Sequence, residues 1–143
     1  MYQKIIVVGY LGGDPEMRYM PDGSAVTNFS LASSRRYTDR NGQPVDETTW
    51  FRVSAWGRQA ETANQYLSKG RMVLVEGRMR PDPQTGGPRT FTRQDGTVGS
   101  SYEITAENIK FLGGRDSGEG GGPRADNYDS GAGGAQEEDD IPF

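Results

Sequence analysis

The chain has 143 residues, 16 of them basic and 20 acidic, for a formal net charge of -4. It contains no cysteine and no histidine, which excludes a disulfide framework, a thiolate nucleophile or metal site, and the commonest general base. That length suits one domain with an appendage.

The chain opens on "MYQKIIVVGYLGGDPE". Its apolar run reaches Asp14 and Pro15 without a small-residue cleavage site, so it reads as a buried strand, Lys4 to Leu11, and not as a signal peptide. No stretch approaches the roughly 20 apolar residues of a membrane span. A soluble, cytoplasmic protein is the expectation. "AVTNFSLASSRRY", Ala25 to Tyr37, alternates with Phe29 and Leu31 on one face, and Asn41-Gly42 then marks a hairpin turn. "TTWFRVSAWG", Thr48 to Gly57, is the next strand. "RQAETANQYLSKG" is the one helix, with Ala60, Ala63 and Leu67 on one face and Gly70 placed to cap its C-terminus. "RMVLVEGRM", Arg71 to Met79, and "SSYEITAENIKFL", Ser101 to Leu112, complete the strands. Between them "RPDPQTGGPRTFTRQDGTVG" reads as an extended loop or a protruding hairpin bent around Phe91.

Three strands, a helix and two more strands are the element order of an OB-fold, a five-stranded barrel, all-β with one helix, although other small barrels share parts of that order. No internal repeat is present, so one barrel over residues 1–112 is expected. After Leu112 the composition changes. Residues 113–143 hold 9 glycines, 2 arginines and 8 acids, whereas residues 1–112 hold 14 basic and 12 acidic side chains. The acidity belongs to the tail, and the body is mildly basic. So few apolar residues cannot offset the entropy of ordering, so residues 113–136 are expected to be a disordered Gly-rich linker. As a flexible coil the tail spans roughly 30 Å, enough for its tip, residues 137–143, to reach its own domain.

Successive strand residues face opposite ways, so Trp50, Arg52, Ser54 and Trp56 share one face while Phe51, Val53 and Ala55 share the other. The second set makes a barrel interior. The first interleaves two tryptophans with an arginine, as a single-stranded nucleic-acid surface requires: rings stack on bases and arginines meet phosphates. The plainer alternative packs both tryptophans under the helix or into a subunit contact. "SSRRYTDR" adds Arg35, Arg36, Tyr37 and Arg40 near a hairpin tip, either as DNA contacts or as ordinary solvated charges. Phe91, flanked by Arg89 and Arg93, has little core to join. "GYLGGD" lacks the Lys-Ser/Thr pair and following helix of a phosphate-binding loop. Asp14 with Glu16, or Asp46 with Glu47, could be imagined as nuclease metal ligands, but adjacent acids in turns are ordinarily solvated. No cofactor, metal site or catalytic residue is expected, and no enzyme. Rival readings are an RNA-binding OB protein and a scaffold whose tryptophans fill a partner's pocket.

"VGYLGGDPEMRYMPDGSAVTNFSLA", "TTWFRVSAWGRQAETANQYLSKG", "VEGRMR" and the terminal "DDIPF" closely resemble the bacterial single-stranded DNA-binding protein family, from about Lys4 to Gly114 and again over the last residues. The resemblance implies an OB-fold that binds single-stranded DNA without sequence preference, and usually a homotetramer. Stacking aromatics would fall on Tyr37, Trp50, Trp56 and Phe91. Phosphate contacts would fall on Lys4, Arg35, Arg40, Arg52, Arg58, Lys69 and Arg80. "PDPQTGGP" stands as an insertion before Phe91. The tip residues Asp139, Asp140, Ile141, Pro142 and Phe143 would recruit replication, recombination and repair proteins: an aromatic and a terminal carboxylate for a partner's pocket, and acids to steer them there. The same tip, by reach and charge, is expected to compete with DNA for its own basic groove.

Overall fold

A computed structural model describes residues 1–113. The expected linker, Gly113 apart, and the expected tip lie outside the described residues. Eight elements follow in order: β1 (Ile5–Leu11), β2 (Glu16–Tyr19), β3 (Ala25–Thr38), β4 (Pro44–Trp56), α1 (Arg58–Tyr66), β5 (Met72–Met79), β6 (Arg89–Thr92) and β7 (Val98–Leu112). The strands run in the order β1-β5-β7-β4-β3, and β1 pairs back onto β3, which closes a five-stranded barrel. All its pairings are antiparallel except β4 with β7. The expected OB barrel is present. β2 extends the sheet beyond β3, and β6 forms a hairpin with β7.

Alternation fills the interior. Val7 and Leu11 of β1, Phe29 and Leu31 of β3, Val53 and Ala55 of β4, Val73 and Val75 of β5, and Ile104 and Ala106 of β7 form one buried cluster. Two glycines allow the wall to close. A methyl group on Gly9 would run into the Ala32 carbonyl, where β1 crosses onto β3. One on Gly77 would meet the Thr105 carbonyl, beside the register shift between β5 and β7. Both positions need backbone against backbone, which a Cβ forbids.

The helix plugs one end of the barrel through Ala60 and Ala63, with Leu67 just beyond it, all buried. The buried Thr27 hydroxyl donates to the Ala60 carbonyl at 2.6 Å, tying α1 to β3. Helical backbone stops at Tyr66, three residues before the expected limit, because Leu67 is already extended at ψ 147°. Gly70 (φ 83°) therefore serves a turn and not the helix cap; its N–H donates to the Leu11 carbonyl at 2.9 Å. No helix among the described residues is long and apolar enough to cross a membrane.

Three local expectations are revised. "EMRY" forms β2, which its polar composition concealed. β4 begins at Pro44 and not at Thr48, and the first residues of this long ribbon pair only with β3. The segment before β7 is a hairpin, but Phe91 sits within β6 opposite Gly99, and the turn lies at Arg93–Thr97. Asp95 holds that turn by accepting from the Thr97 hydroxyl and N–H, and these bonds keep its carboxyl below the usual range.

Candidate nucleic-acid interface

Strand β4 carries the outward aromatic face. Val53 and Ala55 are fully buried, whereas Trp50 and Trp56 are 54% and 41% exposed and Arg52 is exposed between them. Both tryptophans stand on the strand face opposite Val53 and Ala55, which face the core. Trp50 is held by a glycine: a methyl group built on Gly12 would lie 2.5 Å from the ring atom Cζ3, so the indole rests against bare backbone. That backbone is fixed in turn, since the Gly12 N–H donates to the Ser30 carbonyl. Gly99 does the same for Phe91, whose Cζ would stand 2.7 Å from a methyl there. Aromatic rings laid over glycines are presented to solvent with little freedom to fold away.

Two open clefts run along this face. One, of about 420 Å³, is lined by Trp50, Arg52, Asn28, Gly13 and Asp14 among others. The other, of about 600 Å³, holds Trp56, Phe91, Arg18, Arg80, Arg89 and Glu103. Arg52, Asn28 and Ser101 belong to both, so the clefts join through the middle of β4. The Ser54 hydroxyl donates to Asn28 Oδ1 at 2.6 Å and fixes that junction. The result is an open groove with aromatic walls and arginines along it.

The expected contact residues divide. Trp50, Trp56, Phe91, Arg52 and Arg80 come together in the groove. Tyr37 does not join them: β4 pairs Trp50 with Ala32, so alternation along β3 turns Tyr37 to the opposite face of the ribbon. The Arg35 guanidinium lies 4.8 Å from the Tyr37 ring centroid and also pairs with Glu47 at 3.0 Å. Arg36 grips Asp46 with two bonds, which raises its own pKa and lowers that of the carboxyl. The ribbon's two central arginines are therefore already occupied by acids. Arg40, beyond β3 at its tip, forms no ion pair among the described residues, nor do Arg18, Arg52, Arg58, Lys69 and Arg80.

Lys4 pairs with Glu76 at 3.3 Å, and that carboxylate raises the lysine's pKa. Lys4 and Arg58 line neither cleft. Lys69 lies beside a separate recess with Tyr10 and Leu112, although its backbone N–H reaches Asp14 of the smaller cleft at 2.9 Å. Two groove arginines escaped the sequence reading as contact residues. Arg18 lies on the unforeseen β2. Arg89 was visible beside Phe91, and alternation along β6 would have set them on one face. Asp46 and Glu47, imagined as metal ligands, are the ion-pair partners of the ribbon, and no group of three acids among the described residues could hold an ion. Asp139 to Phe143 lie outside the described residues.

Residues 2–112 match the model of the single-strand binding protein family. The chain is 44% identical over 125 residues to a single-stranded DNA-binding protein of Neisseria meningitidis, covering 87% of this chain and 68% of the relative. It is 39% identical over 132 residues to that of Wolinella succinogenes, covering 91% and 77%. Among solved structures it is similar to a deletion variant of the single-stranded DNA binding protein from Thermus aquaticus, with TM-score 0.62 and 32% identity. That match covers 80% of this chain and about half, 52%, of the other.

Proposed function

The chain belongs to the single-strand binding protein family, and on that premise we propose that it binds and protects single-stranded DNA along the β4 groove. One observation carries the reading: Trp50, Arg52 and Trp56 stand outward on one strand, between clefts that add Phe91, Arg18, Arg80 and Arg89. Stacking serves any base, and arginines serve any phosphate, so affinity needs no particular sequence. Duplex DNA, whose bases already stack on each other, has nothing to offer these rings. Among the residues expected to meet phosphate, Arg52 and Arg80 make the inner path. Arg40, Arg58 and Lys69 are assigned to its outer course. Lys4 and Arg35 must first exchange a carboxylate for a phosphate, and Tyr37 is a platform only for DNA that wraps over the ribbon's other face.

Intrinsic tryptophan fluorescence during titration with a thymidine oligomer tests this directly. Saturable quenching is expected, with affinity falling steeply as salt is raised, since each neutralised phosphate releases about 0.7 counterion from a single strand. Absence of quenching at low salt would sink the reading.

The wider role we infer is in DNA replication, recombination and repair, in the cytoplasm at the nucleoid. Asp139, Asp140, Ile141, Pro142 and Phe143 serve as a short docking motif, the acids steering and Ile141 with Phe143 filling an apolar pocket on repair and replication partners. The acids also suit the groove's unpaired arginines, so the tip competes with DNA. Deleting residues 136–143 is expected to strengthen DNA binding at low salt and to abolish partner capture. Unchanged affinity would remove the competition from the account.

Self-assembly, as a homotetramer, is supported by the opposite wall. Ile6, Val8 and Tyr10 of β1 point outward and are 59%, 44% and 57% exposed. Their β5 partners include Leu74 and Met72. β1 pairs with β3 only at Tyr10 and Leu11, so its earlier residues keep one edge unpaired among the described residues. An open edge beside an apolar face invites a second copy. Val8→Glu is expected to reduce the mass seen by sedimentation, and an unchanged mass would rule this face out.

A further inference from the structure

Glu103 is the one buried charged residue among the described residues, with 9% of its surface exposed. It stands on β7 in the wall of the larger cleft, beside Arg52 in the parallel β4–β7 register. Its partners are inadequate. The nearest cation, Arg89 Nη1, is 3.9 Å from Oε1, beyond hydrogen-bond length. The Arg80 N–H donates at 2.8 Å to the backbone carbonyl of Glu103 and not to its carboxylate. Among the described residues no donor reaches the carboxylate, in contrast to Thr27, the other buried polar side chain, whose hydroxyl is satisfied by Ala60. No fully buried side-chain oxygen among the described residues lacks a partner, so these carboxylate oxygens open on the cleft, with acceptor capacity that a ligand lying there can use.

The chemistry of the ligand narrows what can do so. A carboxylate only accepts, and so does a phosphate diester, which also shares its charge; Glu103 repels the DNA backbone. Arg18, Arg80 and Arg89 draw phosphates to themselves in the same cleft. A base stacked on Trp56 or Phe91 turns its edge, not its face, to the cleft wall. Cytosine, adenine and guanine carry an exocyclic amino group on that edge. Thymine presents two carbonyl oxygens there, on either side of a single N3–H. We propose that Glu103 is a base-reading residue. Its carboxylate accepts a hydrogen bond from an exocyclic amino group, so this one subsite favours an amino-bearing base, cytosine among the pyrimidines, against thymine. Binding overall remains general, because the rings and arginines are indifferent to sequence. The inference rests on the single-stranded DNA reading and adds a preference to it.

The test uses the full chain and oligomers of about eight nucleotides, a length within one OB-fold's site. Three are compared by tryptophan quenching: cytidine, thymidine, and a pyrimidin-2-one oligomer that is cytosine without its 4-amino group. The wild-type protein is expected to bind the cytidine oligomer roughly tenfold more tightly than the des-amino one, the loss of one charge-assisted hydrogen bond. Glu103→Gln keeps the shape and removes the charge, and it is expected to lower the cytidine-to-thymidine affinity ratio by a similar factor. Equal affinity of the wild type for the cytidine and des-amino oligomers overturns the proposal, even if the variant fails to fold. A uniform gain in affinity for all three oligomers in Glu103→Gln, with ratios unchanged, also overturns it and leaves Glu103 as a repeller of phosphate. Failure of the wild type to bind any oligomer is a different result, and overturns the DNA-binding reading beneath it.

Discussion

Replacing Trp50 and Trp56 together with alanine is expected to weaken binding of a thymidine oligomer by about a hundredfold or more. Each ring that stacks on a base contributes roughly 1–3 kcal/mol, and the two stand in different clefts that meet at Asn28, Arg52 and Ser101, so their losses add. Each single variant should lose about tenfold. Because the rings are exposed, the barrel beneath them keeps Val53 and Ala55 and its melting temperature changes little. Gly12→Ala provides an independent approach to the same site. The added methyl group, 2.5 Å from the Trp50 ring, pushes the indole off its seat while the chromophore stays. Its DNA affinity should approach that of Trp50→Ala, with tryptophan emission still present in the free protein. Isothermal titration of the parent and the four variants at one salt concentration checks both statements. A double variant that binds within twofold of the parent would show that the face serves some other contact.

Leu31→Ala is expected to destabilise the protein by about 2–5 kcal/mol, a large part of the roughly 5–15 kcal/mol that holds a domain of this size. Leu31 is fully buried and sits where the barrel closes. It is paired with Leu11 across the β1–β3 contact and with Phe51 across the β3–β4 ladder. Gly9 lies against it too, since a methyl there would come within 3.2 Å of Leu31 Cγ. Strands drawn together by backbone contact cannot readily collapse into the space that the lost side chain leaves, so the cavity persists. Urea unfolding followed by circular dichroism, at fixed protein concentration because assembly adds its own stability, measures the loss. A change below about 1 kcal/mol would mean that the closure at β1–β3 yields, and that Gly9 is not under the constraint argued for it.

Much of this protein was legible residue by residue. The alternation of Phe51, Val53 and Ala55 against Trp50, Arg52 and Trp56 separates core from surface without reference to any other strand, because a strand's side-chain period is a local property. The same holds for Ala60 and Ala63 in the helix, with Leu67 at its end, and for the turn at Asn41-Gly42. The motifs from Val8 to Ala32 and from Thr48 to Gly70 carry the family resemblance in the same local way. They name the fold before any pairing is known.

Pairing decided the rest. That Trp56 and Phe91 share a cleft while Tyr37 turns away depends on the β3–β4 register and on the hairpin of β6 with β7. That Arg18 and Arg89 enter the groove depends on a short polar strand and on where a turn falls. The occupation of Arg35 and Arg36 by Glu47 and Asp46 is a matter of cross-strand neighbours. Glu103 showed nothing in its own stretch of sequence, where it alternates like any surface acid between Tyr102 and Ile104; the parallel approach of β4 buries it beside Arg52. Hydrophobic period is written along the chain and can be read there. Register joins residues distant along the chain and is set by the closing of the barrel, so the make-up of the groove became visible only in the folded structure.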